Sequence, residues 1–179
     1  MFVNLILKPT VTNPFLKLAK NIGTISKASK IGIVGCGNVG NAVAKNLLKK
    51  GFPVVGMFDT YSHKMDDMPK EIKKCSSPRE VAEISDVCIT GLPKPGNVME
   101  AAEGSQGILE GLSEGKIWID HSTTDFEQTL FYRIRRKRNQ GGSRLEALTG
   151  GLLALQKGQM VVHIGGQKEI LDSVKPLLR

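Results

Sequence analysis

The sequence predicts one α/β domain built on a doubly wound, mainly parallel sheet. Short, nearly all-apolar segments alternate with segments of helical periodicity from residue 31 onward. Such apolar segments are typical of parallel strands that helices cover on both faces. A glycine-rich stretch, residues 35–40, directly follows the first apolar segment. With 179 residues, the chain is long enough for one domain with a substantial core and short for two.

The first half of the domain is predicted to begin as strand, helix and strand. Residues 31–35 (IGIVG) form a short buried strand of mainly β-branched residues. Residues 38–50 form a helix, because apolar residues recur along one face, lysines end the segment and Gly51 follows. Residues 53–59 (PVVGMFD) form the second strand, and residues 60–70 form a loop with a short helix.

The remaining elements continue this alternation. In chain order, they are helix 78–84, strand 86–92, helices 97–103 and 108–112, strand 116–120, helix 125–138, strands 143–148 and 159–165, and helix 168–178. Pro93 ends the strand before it, because proline cannot donate to a sheet ladder. Asn139, Gly141 and Gly142 end the long helix.

Composition is ordinary for a globular domain, with 40% hydrophobic and 23% charged residues. No apolar run reaches the roughly 18 residues of a membrane-spanning helix, so no membrane partner is expected. The three cysteines, Cys36, Cys75 and Cys88, are scattered and form no C-x-x-C pair. This spacing favours reduced thiols in an intracellular compartment.

The net charge of +8 is concentrated in two segments. Residues 1–30 carry five lysines and no acid, and residues 133–138 (RIRRKR) carry five basic residues and no acid. A nucleic-acid partner is therefore not expected from the surface as a whole. For RIRRKR we favour a solvated helix end, with a nuclear-localisation or nucleic-acid patch as the alternative.

Residues 1–29 are expected to be a presequence or a disordered arm. The segment is basic, hydroxylated and free of acids, as organelle presequences are, but it has no arginine. Lys8 and Pro9 interrupt its apolar stretch, which argues against a secretory signal. The expected location is therefore mitochondrial or cytoplasmic.

Residues 35–40 (GCGNVG) match the pattern G-x-G-x-x-G in the context that this motif requires. A strand precedes it, a helix follows it, and Asp59 ends the second strand 19 residues after Gly40. Gly35 permits the tight turn, Gly37 leaves room for a pyrophosphate, and Gly40 lets the helix lie close to the strand. The helix N-terminus offers free N–H groups to phosphates. The sequence therefore predicts a Rossmann-type dinucleotide site.

Asp59 favours NAD over NADP, because its carboxylate accepts hydrogen bonds from ribose hydroxyls and repels a 2′-phosphate. His63 and Lys64 are close enough in sequence to keep NADP open. Cys36 occupies a variable position of the loop and is interpreted as filler. The cofactor-binding residues predicted from the motif are Gly35, Gly37, Asn38, Val39, Gly40 and Asp59.

Four blocks follow one another in the chain: GIVGCGNVGNAVAKNLLKKGFPVVGMFD, GLPKPGNVMEAAEG, WIDHSTTDFEQTL and TGGLLALQKGQMVVHIGG. With them the chain resembles the nicotinamide-binding domain of the β-hydroxyacid dehydrogenase family. That family includes 3-hydroxyisobutyrate dehydrogenase and tartronate semialdehyde reductase and, more distantly, 6-phosphogluconate dehydrogenase. The resemblance implies that residues 30–179 are an NAD(P)-binding Rossmann domain.

The resemblance also implies roles at matched positions. Leu92 and Pro93 lie where the family closes over the nicotinamide side of the cofactor. Ser122 matches the serine that binds the substrate carboxylate, and Thr123 matches the threonine near the cofactor.

A further match is the turn Thr149, Gly150 and Gly151, whose backbone N–H groups hold the substrate in the family. The preceding run, residues 146–149, is one residue shorter than the family pattern and lacks its proline. Either the strand is truncated or the turn is displaced, because a one-residue change inverts the faces of a strand.

The activity implied by the resemblance is reversible hydride transfer between NAD(P) and a small β-hydroxyacid. In the family a lysine of an all-helical second domain moves the hydroxyl proton. This chain ends at Arg179 without that domain, and Lys157 and Lys168 match no family lysine, so we expect it to be incomplete for catalysis. The alternative is a non-catalytic dinucleotide-binding or chromatin-associated module. Self-association is also expected, through the apolar surface that relatives cover with the second domain.

The histidines indicate no further site. His63, His121 and His163 are dispersed without partners at metal-ligand spacing, so no metal is expected. His121 and Ser122 are adjacent and would point to opposite faces of a strand, so they are not expected to form a nucleophile–base pair.

Overall fold

The computed structural model describes residues 24–122, 143–149, 152–159, 162–165 and 168–178. The predicted helix 125–138 with its RIRRKR segment lies outside the described residues. So do Thr123, Gly150 and Gly151, and almost all of the predicted N-terminal arm.

Within the described residues, seven strands form one sheet in the order β3-β2-β1-β4-β5-β6-β7. The strands are β1 Ile31–Val34, β2 Val54–Phe58, β3 Lys73–Lys74, β4 Val87–Thr90, β5 Ile117–Asp120, β6 Ser143–Thr149 and β7 Val162–Gly165. Strands β1 to β6 pair in parallel, and β7 pairs antiparallel to β6. The prediction of a mainly parallel sheet is confirmed.

The helices described are α1 Asn38–Lys49, α2 Pro78–Ile84, α3 Pro95–Glu103, α4 Ile108–Gly111, α5 Leu152–Gln156 and α6 Lys168–Leu178. A 3-10 turn covers Ser62–Met65. None of these helices has the length and apolar character of a membrane span. Proline in the first turn of α2 and of α3 fits the helix start, where no N–H donor is needed.

Two buried clusters cover the two faces of the sheet. Ile33 of β1 belongs to the cluster that includes residues of α1 and α6, and the adjacent Val34 belongs to the cluster beneath α2 and α3. In β5, Ile119 and Trp118 divide between the same two clusters. Successive strand residues point to opposite faces, so this alternation shows that the sheet is doubly wound, as predicted.

Two short elements were not predicted. Strand β3 consists of two exposed lysines, Lys73 and Lys74, which pair with β2 without any apolar pattern. Helix α5 has five residues and contacts α1. Elements this short carry too few residues to show a period. The predicted strand 143–148 is one residue shorter than the observed β6. The other predicted strands are one to three residues longer than those observed, for example 86–92 against Val87–Thr90.

Candidate functional site

The glycine loop joins β1 to α1 at the carboxyl edge of the sheet. Gly35 has φ +89°, a left-handed conformation that favours glycine. Its N–H donates to Phe58 O at 2.8 Å, which ties the loop to the end of β2. A Cβ at Gly40 would lie 1.8 Å from Gly35 O. The first turn of α1 and the loop therefore touch backbone to backbone.

The N-terminus of α1 is open to an anion. Gly37 is its N-cap residue and has no side chain with which to cap the helix. The N–H of Asn41 donates to Gly37 O at 3.0 Å, so the N–H groups of Asn38, Val39 and Gly40 have no acceptor within the helix. A Cβ built on Gly37 meets no described residue within 4 Å. N–H groups without an acceptor in the helix, a positive helix end and open space are together the features of a phosphate cradle.

Asp59 lies directly after β2 and joins the loop to the segment that follows it. Its Oδ2 accepts the Cys36 N–H at 2.8 Å, and its Oδ1 accepts the Tyr61 N–H at 2.9 Å. The Lys64 Nζ lies 3.3 Å from the same Oδ1 and 4.8 Å from the centroid of the Tyr61 ring. The Asp59 side chain is 7% exposed, so the carboxylate is held in place at the edge of the crevice.

Two further contacts stabilise the loop. Asn41 Nδ2 donates to Cys36 O at 2.8 Å and to Lys64 O at 3.0 Å, which fixes α1 against the 3-10 turn. Desolvation, followed by the nearby charge of Asp59, raises the pKa of the Cys36 thiol to about 12. Cys36 is therefore a neutral, buried thiol near neutral pH. Sequence reasoning did not identify this role of Asn41.

A buried hydrogen-bond network connects the ends of β4 and β5. Trp118 Nε1 donates to Thr90 Oγ1 at 3.0 Å, and Thr90 Oγ1 donates to Asp120 Oδ1 at 2.7 Å. Asp120 Oδ1 also accepts the Ser122 N–H at 2.9 Å, and Ser122 Oγ accepts the Leu92 N–H at 2.9 Å. The network fixes the position of Ser122. Sequence reasoning did not assign Trp118, Thr90 or Asp120 to the site, although a polar end on two otherwise apolar strands was a usable signal.

His121 lies beside this network and is neutral at physiological pH. Burial lowers its pKa to about 4, although the nearby Asp120 charge acts in the opposite direction. Its backbone N–H donates to Thr90 O at 2.8 Å. Its Nδ1 is buried and has no hydrogen-bond partner among the residues that the structure describes. His121 therefore adds no positive charge to the crevice.

The predicted residues that the structure describes converge on one edge of the sheet. The loop follows β1, Asp59 follows β2, Leu92 and Pro93 follow β4, and Ser122 follows β5. The chain passes from β1 out to β2 and β3 and returns to β4 beside β1, which makes a switch point in the sheet. Ligands of open α/β sheets bind at such a crevice.

Thr149 is the last residue of β6 and pairs with Val162 of β7, so the strand continues through it. The strand that precedes the predicted turn is therefore present up to Thr149. Among the described residues, no group of three or more His, Cys, Asp or Glu side chains could hold a metal ion.

The chain matches the family model described as the NAD binding domain of 6-phosphogluconate dehydrogenase over residues 30–179. The 3-hydroxyisobutyrate dehydrogenase of Mus musculus, named mitochondrial, is 35% identical over 163 residues, which cover 86% of this chain and 46% of that protein. The Homo sapiens enzyme is 31% identical over 87% of this chain and 46% of its own length. The chain thus spans about half the length of these relatives.

Solved structures show the same fold. The 3-hydroxyisobutyrate dehydrogenase of Mycobacterium tuberculosis, solved with L-serine, has a TM-score of 0.74 at 23% identity. The match covers 84% of this chain and 51% of the Mycobacterium tuberculosis chain. A variant imine reductase of Myxococcus stipitatus, in complex with NAD+, has a TM-score of 0.74 at 11% identity and covers 84% and 51%. Both likenesses confirm the predicted α/β architecture.

Proposed function

We propose a function for this chain from one premise: it belongs to the family of the NAD binding domain of 6-phosphogluconate dehydrogenase. Membership confirms a nicotinamide dinucleotide as the predicted cofactor. The chain provides the cofactor half of an oxidoreductase of the 3-hydroxyisobutyrate dehydrogenase type, which transfers hydride between nicotinamide and a small β-hydroxyacid. The observation that carries this proposal is the uncapped start of α1 at Gly37, beside the Asp59 carboxylate.

The residues present fit the dinucleotide. The N–H groups of Asn38, Val39 and Gly40 hold the pyrophosphate, and the open space at Gly37 admits it. Asp59 receives the hydroxyls of the adenosine ribose. When bound, the nicotinamide supplies the hydride acceptor or donor.

We propose NAD as the preferred cofactor, with NADP as the alternative. The Asp59 carboxylate repels a 2′-phosphate, whereas Lys64 Nζ, 3.3 Å from that carboxylate, attracts one. The Lys64 side chain is 37% exposed, so it can turn toward a bound phosphate.

On the substrate side, Ser122 binds the carboxylate of the hydroxyacid, and Leu92 and Pro93 close over the nicotinamide. Support comes from their position at the ends of β4 and β5, beside the loop. Thr123 near the cofactor, and the turn at 149–151 near the substrate, remain part of the same proposal. No lysine of this chain is assigned to proton transfer, so we propose that the acid–base group comes from a further segment or partner.

Binding to the 179-residue chain tests the cofactor proposal. The chain contains one tryptophan, Trp118, whose fluorescence should be quenched by energy transfer to NADH when the dinucleotide binds. Gly37→Val fills the open space at the cradle. It should lower the affinity for NADH by about tenfold or more, as expected when a charged hydrogen-bonding partner is displaced. Gly96→Val is the matched control, because its Cβ also enters open space in the first turn of a helix, α3. If neither NADH nor NADPH binds to the unmodified chain, the proposal is wrong.

Turnover separates this proposal from the non-catalytic alternative. A dehydrogenase half should transfer hydride from 3-hydroxyisobutyrate to NAD+ when a longer form or a partner supplies an acid–base group. Tight dinucleotide binding with no turnover in any such form would favour the non-catalytic module.

We further propose that the protein self-associates and is located in mitochondria. Met99 in α3 and Leu153 in α5 are large apolar side chains with exposed fractions of 49% and 68%. Their helices cover opposite faces of the sheet, so each side chain supports a separate contact. The Mus musculus and Homo sapiens relatives are named mitochondrial. Light scattering after size exclusion tests the first statement, and a monodisperse monomer contradicts it. Mass spectrometry of the N-terminus of the endogenous protein tests the second, since a cleaved presequence is the expected result.

A further inference from the structure

Four buried polar side chains lie on the substrate side of the crevice, beyond the proposed dinucleotide contacts. The exposed fractions of Trp118, Thr90, Asp120 and Ser122 are 1%, 0%, 2% and 4%. A hydroxyl or a carboxylate buried to this degree is costly unless it is hydrogen-bonded. Thr90 and Asp120 are also register partners on neighbouring strands. The sheet itself therefore holds these groups together.

The direction of the hydrogen bonds follows from the chemistry of each group. An indole N–H only donates, so Trp118 occupies a lone pair of Thr90 Oγ1 at 3.0 Å. Thr90 has one hydroxyl hydrogen, which is directed to Asp120 Oδ1 at 2.7 Å, because a carboxylate only accepts. The Ser122 N–H donates to the same oxygen at 2.9 Å. Thr90 thus fixes Asp120, and Asp120 fixes the backbone of Ser122.

The Ser122 hydroxyl is also oriented. A backbone N–H, that of Leu92, donates to Ser122 Oγ at 2.9 Å. The hydroxyl hydrogen is then left for another acceptor, and the hydrogen bonds of the described residues include none for it. A substrate carboxylate is an acceptor of the right kind, because hydrogen bonds to ionised groups are short and strong.

We propose that Thr90 is a positioning residue for substrate binding, which acts through Asp120 to present the Ser122 hydroxyl as a donor to the substrate carboxylate. The inference rests on the proposed function, which places the hydroxyacid at Ser122. Thr90 itself touches neither substrate nor cofactor. The Thr90 hydroxyl has a second effect. Together with the Ser122 N–H, it donates to Asp120 and stabilises the negative charge of that carboxylate, which weakens its repulsion of an approaching substrate carboxylate.

Two substitutions of Thr90 distinguish the effect of its hydroxyl from the effect of its side-chain shape. Thr90→Val keeps the branched side chain and removes the hydroxyl, which deletes its hydrogen bonds to Asp120 and Trp118. Thr90→Ser keeps the hydroxyl and removes a methyl group. The matched control is Ser85→Ala, which removes another buried hydroxyl, bonded to Val81 O at 2.7 Å at the opposite edge of the sheet.

The test titrates 3-hydroxyisobutyrate into the full chain saturated with NAD+, with NADH affinity measured in parallel. Because the chain has one tryptophan, its NMR spectrum has one indole N–H signal. We expect the probe to shift that signal in the unmodified chain and not in Thr90→Val. We also expect Thr90→Val to lose about tenfold or more in probe affinity, the effect of one hydrogen bond involving a charged group.

NADH affinity should be unchanged in all three variants, Thr90→Ser should recover probe binding, and Ser85→Ala should leave it intact. Equal losses in Thr90→Ser and Thr90→Val, or an equal loss of NADH affinity, would mean a merely structural role and would overturn the proposal. So would a chain that binds NADH but never the probe, while the cofactor part of the proposed function would survive. A chain that binds no dinucleotide overturns both.

Discussion

Replacing Gly40 by alanine should destabilise this protein, although helix propensity alone favours the change. Gly40 lies inside α1, where alanine is about 1 kcal/mol more favourable than glycine. The new Cβ, however, would lie 1.8 Å from Gly35 O. To reach van der Waals contact of about 3.5 Å, the loop or the helix must shift by roughly 1.7 Å. Both atoms belong to rigid parts of the backbone, so no side chain can move aside.

The magnitude follows from these opposing effects. Overpacking in a closely packed site costs about 1–3 kcal/mol, and the upper end suits a backbone contact. After the gain in propensity, the net loss is about 2 kcal/mol, which lowers Tm by roughly 4–8 °C in a domain of this size. The same shift moves the N–H groups at the start of α1, so NADH affinity should fall by about tenfold.

Thermal and urea unfolding followed by circular dichroism measure the first effect, and NADH titration measures the second. Gly96→Ala is the control, because a Cβ at Gly96 in α3 meets nothing within 4 Å and should leave Tm unchanged or raised. A Gly40→Ala variant as stable as the unmodified protein would refute the reasoning, since it would show that the loop and α1 separate without cost.

Three other predictions concern charge and pH. Asp59→Asn should raise the affinity for NADPH relative to NADH, and Lys64→Ala should lower this relative affinity. Parallel titrations of each variant with NADH and NADPH measure it. A change in the opposite direction in either variant would contradict the role assigned to that residue. Burial lowers the pKa of His121 from 6.5 to about 4, so the unfolded state binds a proton first as pH falls. The free energy of unfolding should therefore decrease between about pH 6.5 and 4. Urea titrations measure this decrease, and His121→Gln should flatten it. Since burial raises the pKa of Cys36 and of Cys88 from 9.0 to about 12, stability should fall as pH rises above 9.0, and alkylation of these thiols by iodoacetamide at pH 8 should require unfolding.

The loop geometry was accessible to sequence reasoning because its residues are close in the chain and each glycine has a steric reason. Gly35 and Gly40 were expected at a tight turn and a close approach, and the structure places them so. Strand β3, with two exposed lysines, was not accessible, because its only signal is its pairing with β2. Likewise the contact of Lys64 with Asp59 depends on the 3-10 turn that brings them together.

The Thr90–Asp120 contact shows what sequence reasoning needs in addition. The two residues are 30 positions apart, and only the register between β4 and β5 makes them neighbours. Their burial was nevertheless deducible, since each ends a strand of otherwise apolar residues. A carboxylate in such a place must have partners, so a buried Asp120 should have prompted a search for donors at the end of an adjacent parallel strand.

The turn after β4 connects the two parts of the site through its backbone. A Cβ at Gly91 would lie 3.2 Å from the Gly40 N, and a Cβ at Gly35 would lie 2.7 Å from Gly91 O. The Leu92 N–H at the other side of the turn donates to Ser122 Oγ. Under the proposed function, we expect a shift of the glycine loop on binding the pyrophosphate to reach Leu92, because the loop and the turn after β4 are closely packed. The affinities for cofactor and substrate should then be linked. By thermodynamic reciprocity, the hydroxyacid should change the affinity for NAD by the same factor by which NAD changes the affinity for the hydroxyacid.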